Sequence, residues 1–361
     1  TRADADQVAL RVQSALSNAT LDRAVAQLPP EWQEQSGDRI RSTLRARRDR
    51  LPEMAREFYE WLATDVDVHG TDEKEVALIT RHDDGSVTVA IRGPEDPATA
   101  PAFSQRTFFP METGEVRVYL HDGDDEAVVR GSSSGAITVR VIGGSGDDIL
   151  ADSAGGGGTR FYDAIGENEF ITQGGTRISV QEWDAPRQGA GIRLDAPWRP
   201  DWGSSFGWGP AFDYGSGAGL IVGFGPRYTA QGFRRLPYKV KASANILLGT
   251  GNMRPGASLD VDYRGENSPL ALALVARATK FEEFRFHGFG NDAEELAKPL
   301  SQVAQDLVAV EPALVWHIGW RTRDDLPSGF GEGKSFPGLR PLIGKLEAGP
   351  VFLWNKLDQP A

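Results

Sequence analysis

From about residue 206 to the C-terminus, apolar and polar residues alternate with the period of two that places successive side chains on opposite faces of a strand. In Tyr238–Leu248 the even positions are apolar and the odd ones polar as far as Leu247. The next segment sets Ala257, Leu259, Val261 and Tyr263 on one face, against Ser258, Asp260, Asp262 and Arg264 on the other. A third sets Leu270, Leu272, Leu274 and Ala276 against Arg277 and Thr279. Each run covers about 9–11 residues, the length that crosses a bilayer as a tilted strand. A half-buried soluble sheet alternates in the same way, so two further features are used to choose. Tyr238, Tyr263, Trp320 and Trp354 fall near strand ends, where an interfacial aromatic girdle sits. Connections at Gln231–Arg235, Glu266–Ser268 and Glu311-Pro312 read as short turns, and Phe281–Ser301 and Arg321–Gly344 as long loops on the opposite side. Short turns on one side and long loops on the other are the habit of outer-membrane barrels.

The first part of the chain has a different texture. Val8, Val12 and Leu16 share a helical face, as do Leu21, Val25 and Leu28, and then Leu51, Met54, Phe58 and Leu62, with Pro29-Pro30 as the break. Residues 1–74 are therefore predicted as a helical segment, with the polar stretch Val66–Glu75 leading out of it. Residues 75–185 read as short strands spaced by roughly 8–12 residues, an all-β domain. The predicted strands are Ala77–Arg81, Val87–Arg92, Val116–Leu120, Ala127–Arg130, Ile137–Ile142, Ile149–Leu150, Arg160–Tyr162 and Arg177–Gln181. Gly123-Asp124-Asp125 recurs 23 positions later as Gly146-Asp147-Asp148. That repeat fits two rungs of a short solenoid, while the strand spacing fits a compact sandwich as well. Residues 186–205 are a connector, and 206–361 are barrel strands. The expected fold class is α+β: helices, a small sandwich or solenoid, then a partial antiparallel transmembrane barrel.

Composition narrows the function classes. A net charge of −12, with no basic cluster interleaved with aromatics, argues against a nucleic-acid partner. The dense basic stretch Arg39–Arg50 carries apolar residues at helical spacing and reads as a solvated helix face. The absence of cysteine excludes disulfides and thiolate metal sites and suits an envelope protein. The 42 glycines point to many tight turns. No run of about 18 apolar residues is present, which excludes a transmembrane helix but not a barrel.

Motifs for chemistry are few. Gly143-Gly144-Ser145-Gly146-Asp147-Asp148-Ile149-Leu150 fits the calcium-binding nonapeptide pattern, making Asp147 and Asp148 the candidate metal ligands and calcium the candidate cofactor. The competing reading is a Gly-Asp turn between strands. Asp67-Val68-His69 has the D-x-H form that opens a dimetal phosphoesterase site. With Gly123-Asp124-Asp125 and Gly290-Asn291-Asp292 as poor partner motifs and five histidines in the chain, no catalytic residue is assigned. Gly155–Gly158 reads as a loop, lacking the strand-then-helix context of a phosphate cradle. Lys239, Lys241, Asp260, Asp262 and Arg264 are expected to line a barrel interior.

Trp202-Gly203-Ser204, Phe212-Asp213-Tyr214, Gly219–Gly225, Gly232-Phe233-Arg234-Arg235-Leu236-Pro237-Tyr238 and Phe286-His287-Gly288-Phe289-Gly290-Asn291 follow one another in order. As an ordered set these motifs resemble the BamA/TamA-like bacterial surface antigen family. More narrowly they are similar to the subgroup whose barrel follows a metallophosphoesterase domain. Leu44–Leu51, Glu112–Tyr119 and Val141–Asp148 look like that subgroup's linker. The resemblance implies an outer-membrane anchor with its N-terminal half in the periplasm, lipid as a partner, and a role in assembling or transporting polypeptides. Its alternatives are a membrane tether for a phosphoesterase domain upstream of Thr1, and a soluble calcium-binding β module. About eight strands are counted, fewer than the family's full barrel, with no Val-Arg-Gly-Phe/Tyr loop and no terminal aromatic. The sequence therefore reads as linker plus the first half of a barrel, with no catalytic activity of its own.

Overall fold

The computed structural model describes residues 1–95, 101–132, 135–183, 201–215, 218–285, 302–318 and 344–357. Trp320, most of the 186–205 connector, most of the two long connections and the Phe286–Asn291 motif lie outside that set. The chain is an α+β protein of two compact units, Thr1–Glu182 and Trp183–Ala361.

The first unit begins with four helices. α1 (Arg2–Ala15) starts at a capping box in which the Thr1 side chain accepts from the Asp4 N–H and Asp4 reaches back to Thr1. α2 (Asn18–Val25) is capped by Ser17, and α3 (Pro30–Asp49) opens with a proline in its first turn, where a missing N–H costs nothing. α4 (Leu51–Ala63) packs on α1, as α2 does on α3. Arg45 clasps Asp22 at 2.8 Å between α3 and α2. The apolar stripe read for α4 exists, but Met54, Phe58 and Leu62 remain largely exposed.

Helix ends at Ala63, and the strand region begins at once with β1 (Asp65–His69), ten positions earlier than the sequence pattern suggested. β1 escapes the pattern because three of its five residues are charged or imidazole and two face solvent. The strands then alternate between two sheets. β1, β5 (Glu115–Asp122), β7 (Thr138–Ser145), β9 (Thr159–Tyr162) and β11 (Arg177–Ser179) form one sheet, parallel throughout. β2 (Val76–Arg81), β6 (Glu126–Gly131), β8 (Ile149–Asp152) and β10 (Glu169–Thr172) form the parallel part of the other. A hairpin of β3 (Val87–Arg92) and β4 (Ser104–Phe108) extends that second sheet antiparallel. Successive strands crossing between two parallel sheets make a β-solenoid. The faint Gly-Asp repeat is one of its corners, and the sandwich alternative is set aside. Glu115 faces Thr138, Val139 faces Thr159 and Arg160 faces Arg177, so rungs rise by 23, 20 and 17 residues.

Stacking puts like on like along the interior. Val116 lies on Val139, Val118 on Val141 and Phe161, and Ala127 on Leu150, all fully buried with Ile79, Leu120 and Val129. A single rung has no partner for its apolar side, so the rungs bury one another. The corner between the sheets needs glycine. Gly146 has φ +128°, and a Cβ there would overlap the carbonyl oxygen of Gly123 one rung below. Gly146→Ala should therefore cost at least about 1–3 kcal/mol. Loss of hydrogen-exchange protection in the peptides carrying β7 and β8 is the measurement.

The second unit is one antiparallel sheet. Its strands are β12 (Ser204–Gly215), β13 (Gly219–Ala230), β14 (Val240–Gly249), β15 (Arg254–Arg264), β16 (Leu270–Arg285), β17 (Gln302–Ile318), β18 (Gly344–Ala348) and β19 (Phe352–Leu357). They pair in chain order, and β18 and β19 share the far edge of β17. Among the described residues the sheet does not close into a barrel. The turn expected at Glu311-Pro312 is absent: β17 runs straight through it, with Pro312 opposite Leu274. A proline inside a strand removes one ladder donor, and here the ladder is already interrupted, because Gly349–Val351 separate β18 from β19 at that point. Without that turn, the long connection after β17 falls on the same side as the short ones after β13 and β15. The expected asymmetry of short turns and long loops is not what the sheet has.

Candidate functional site

The corner from the first sheet to the second recurs four times, at Gly70–Glu75, Leu120–Asp125, Gly143–Asp148 and Asp163–Asn168. Its last residues form an inward column, Glu75, Asp125, Asp148 and Asn168. The N–H of Glu75 donates to Asp125 Oδ1 at 2.7 Å, that of Asp125 to Asp148 Oδ1 at 2.8 Å, and that of Asp148 to Asn168 Oδ1 at 2.9 Å. The penultimate residues form an outward column running the other way: Asp147 N–H donates to Asp124, and Glu167 N–H to Asp147, at 3.0 and 2.8 Å. Side-chain carboxylates thus take up backbone donors that the turns leave unpaired.

The two candidate calcium ligands therefore do different things. Asp147 lies on the outside and spends Oδ1 on the next rung's backbone. Asp148 is 1% exposed and points inward. Its Oδ2 meets Asp163 across Gly143, where any Cβ would overlap both carboxylates. Asp163 is 4% exposed; the Asp148 carboxyl and the Gly144 and Ile165 N–H groups lie beside it without full hydrogen-bond geometry, and Asp148 Oδ2, Asp125 Oδ2 and Glu75 Oε2 likewise make no hydrogen bond of full geometry. Burial pushes Asp125 up to about 7, with Asp148, Glu75 and Asp124 adding repulsion and the Glu75 N–H opposing. Burial likewise raises Asp148 and Asp163, and the two share hydrogen bonding. Among the described residues no three His, Cys, Asp or Glu side chains gather to hold a metal ion.

Asp163 was not singled out in the sequence. It occupies the place of Gly143 one rung on, and Gly166-Glu167-Asn168 is a third copy of the Gly-Asp-Asp corner, 20 positions after the second. The signal was present, but conservative exchanges (Glu for Asp, Asn for Asp) hide it from a match on identity.

Among the described residues the D-x-H motif assembles no two-metal site, and Gly290-Asn291-Asp292 lies outside them. Asp67 faces Arg117 at 3.7 Å, and His69 Nδ1 hydrogen-bonds His121 Nε2 at 3.0 Å, with Tyr119 stacked on His69. Neither Asp124 nor Asp125 joins them: Asp125 is inside the corner. Arg117 and Arg140 stack in register on the outer face of the first sheet, yet are almost fully buried. Glu115 holds both, at 2.6 Å to Arg117 Nε and 2.9 Å to Arg140 Nε, and Arg140 also donates to the Tyr162 hydroxyl. Burial works against the Glu115 charge, but Arg140 and Arg117 outweigh it and hold the carboxyl below its usual range. Gly155–Gly158 connect β8 and β9, all at positive φ, with no helix following.

In the second unit, register puts Lys241 beside Asp262, and Ser243 beside Arg227 and Asp260, on one face. Arg264 pairs with Asp262 at 3.3 Å on that face. Lys239 precedes β14 and closes the turn through its N–H to Ala230.

The chain matches no known protein-family profile, no curated protein and no solved structure.

Proposed function

We propose that the second unit is a membrane-embedded β-sheet of the bacterial outer membrane, and that the chain's function is to anchor the solenoid unit at that membrane. One observation carries this reading: the ladder register brings the apolar faces of six consecutive strands onto one side. Phe212 pairs with Val222, Phe224 with Ile246, Val261 with Leu274, and Leu272 with Leu314. Those side chains point away from the polar face, and the large ones stay open to the surroundings, with Phe212 71% and Ile246 77% exposed. A contiguous apolar face of this extent on a water-soluble domain would drive aggregation. Facing lipid, it is the favoured arrangement. No described helix is long and apolar enough to cross a membrane, so insertion would rest on the strands.

Assembly or transport of polypeptides, and tethering of a phosphoesterase domain, are roles that the family resemblance adds to this anchor. The test of the anchor is reconstitution of the full chain into phospholipid vesicles, followed by external protease. Residues 204–285 should be protected and the chain should co-float with lipid. A chain that stays monodisperse in buffer without detergent and does not float would overturn the proposal and favour a soluble β module.

A further inference from the structure

We propose that a groove on the apolar face of the second unit's sheet holds an acyl chain of one phospholipid, whose phosphate rests on Arg235 at the groove's rim. The proposal rests on the membrane reading and goes beyond it, since a sheet can lie in lipid without holding any particular lipid molecule.

The groove has a volume of about 520 Å³ and is walled by Val261 and Tyr263 of β15, Leu272 and Leu274 of β16, and Pro312 and Leu314 of β17. Its far end is formed by Ala348, Gly349 and Pro350, where the ladder on β17 is interrupted between β18 and β19. Gly349 is held to glycine, because a Cβ there would overlap the Pro312 carbonyl oxygen. That end is thereby kept free of side chain. The volume is that of a small-ligand site, and every lining side chain is apolar except Tyr263.

Tyr263 stands one residue from the end of β15 and marks the polar end of the groove. Arg235 Nη1 donates to its hydroxyl at 2.8 Å and to the Arg264 carbonyl at 2.6 Å, with the guanidinium carbon 5.1 Å from the ring centroid. Those contacts hold the guanidinium at the rim and leave its Nε and Nη2 without a hydrogen bond among the described residues. Nε–H and Nη2–H point the same way, the fork that grips two oxygens of one phosphate. Lys239 is beside it: the Cδ atoms of both side chains lie 3.2 Å from the point a Cβ on Gly232 would take. Among the described residues neither cation is in an ion pair. An apolar slot with two cations at one end calls for a tailed anion. A free phosphate would leave the slot empty, and an uncharged hydrocarbon would leave the cations unmatched. A phospholipid supplies both parts, with its phosphate at the level where interfacial Tyr and Arg side chains sit.

The experiment folds the full chain into phosphatidylcholine vesicles carrying a trace of spin-labelled lipid. It compares how much spin-labelled phosphatidylglycerol and how much spin-labelled phosphatidylcholine the chain immobilises. The wild-type chain should prefer phosphatidylglycerol, and Arg235→Gln should reduce that preference about 5-fold, the effect of one cation at a membrane surface. Ala348→Phe fills the groove while keeping the face apolar, and it should abolish the preference. Lys241→Gln removes a cation from the polar face, beside Asp262, and should leave the preference unchanged. Equal immobilisation of the two lipids by the wild-type chain overturns the site and leaves the anchor standing. So does a preference untouched by either Arg235→Gln or Ala348→Phe, or one that Lys241→Gln weakens as much as Arg235→Gln does. Self-association that Ala348→Phe abolishes, with no lipid preference, would give the groove to a second copy of the chain instead. A chain that does not enter the vesicles overturns the anchor and this site together.

Discussion

Replacing Glu115 with alanine should destabilise the solenoid by about 3–5 kcal/mol, the cost of leaving buried charge without its partner. Glu115 is the carboxylate that both Arg117 and Arg140 grip, and Arg117 is only 1% exposed. Removing it leaves two buried guanidinium groups stacked one rung apart and repelling each other, with Asp67 at 3.7 Å from Arg117 as the carboxylate that remains and the Tyr162 hydroxyl on Arg140. Glu115→Gln keeps an acceptor oxygen and the side-chain volume and should cost less. Hydrogen exchange in β5 and β7 of the full chain gives the measurement, since local opening free energy is read strand by strand. The pH dependence has a definite sign. Because the folded-state pKa of Glu115 is depressed, its contribution is present above the ordinary glutamate range. It is lost as pH falls through the depressed value. Acid should therefore weaken the wild-type β5–β7 pair and leave the alanine variant's β5–β7 pair less affected. Equal protection in Glu115→Ala and wild type at neutral pH would show that other groups neutralise the pair.

On the sheet of the second unit, Leu259→Arg should cost about 2–4 kcal/mol of folding stability in lipid, the penalty for a cation on the lipid face near the midplane. Leu259 sits in the middle of β15 on the apolar side, partly exposed, and is flanked by Ala244 and Ala276 in the ladder. Ser243→Arg is the control. It lies on the polar face beside Asp260, with Arg227 on its other side, and it should be close to neutral. Refolding into vesicles across a urea series separates the two. If both substitutions cost the same, the two faces of the sheet are not lipid and interior, and the membrane reading fails.

Much of this architecture was legible in the sequence, for reasons that differ by region. In β14 to β16 the period-two alternation identified both strands and faces, because each face meets one environment for its whole length. The corner of the solenoid was half legible: glycine at 123 and 146 is forced by backbone geometry, so the repeat survives there even where its other positions drift. β1, β4 and β10 went unread because they are short edge or terminal strands, where side chains need not be apolar. Parallel pairing was not legible either, since it follows from rungs stacking on one another rather than from any local pattern. Pro312 misled, because a proline usually ends a strand and here it sits where the ladder is broken on its far side. Asp163 went unread because the third corner copy, Gly166-Glu167-Asn168, is disguised by conservative exchanges, and without that copy nothing brings Asp163 to Asp148, 15 residues away in sequence.

The solenoid's rungs of 23, 20 and 17 residues have a consequence for how such a chain can vary in length. Each rung touches only the one above and the one below, so a whole rung can be gained or lost without redesigning the others. Every rung added lengthens the unit by one strand spacing, about 4.8 Å, and every rung deleted shortens it by the same step. Whatever is carried at one end is thereby held at a distance from the other that changes in fixed increments, like marks on a ruler.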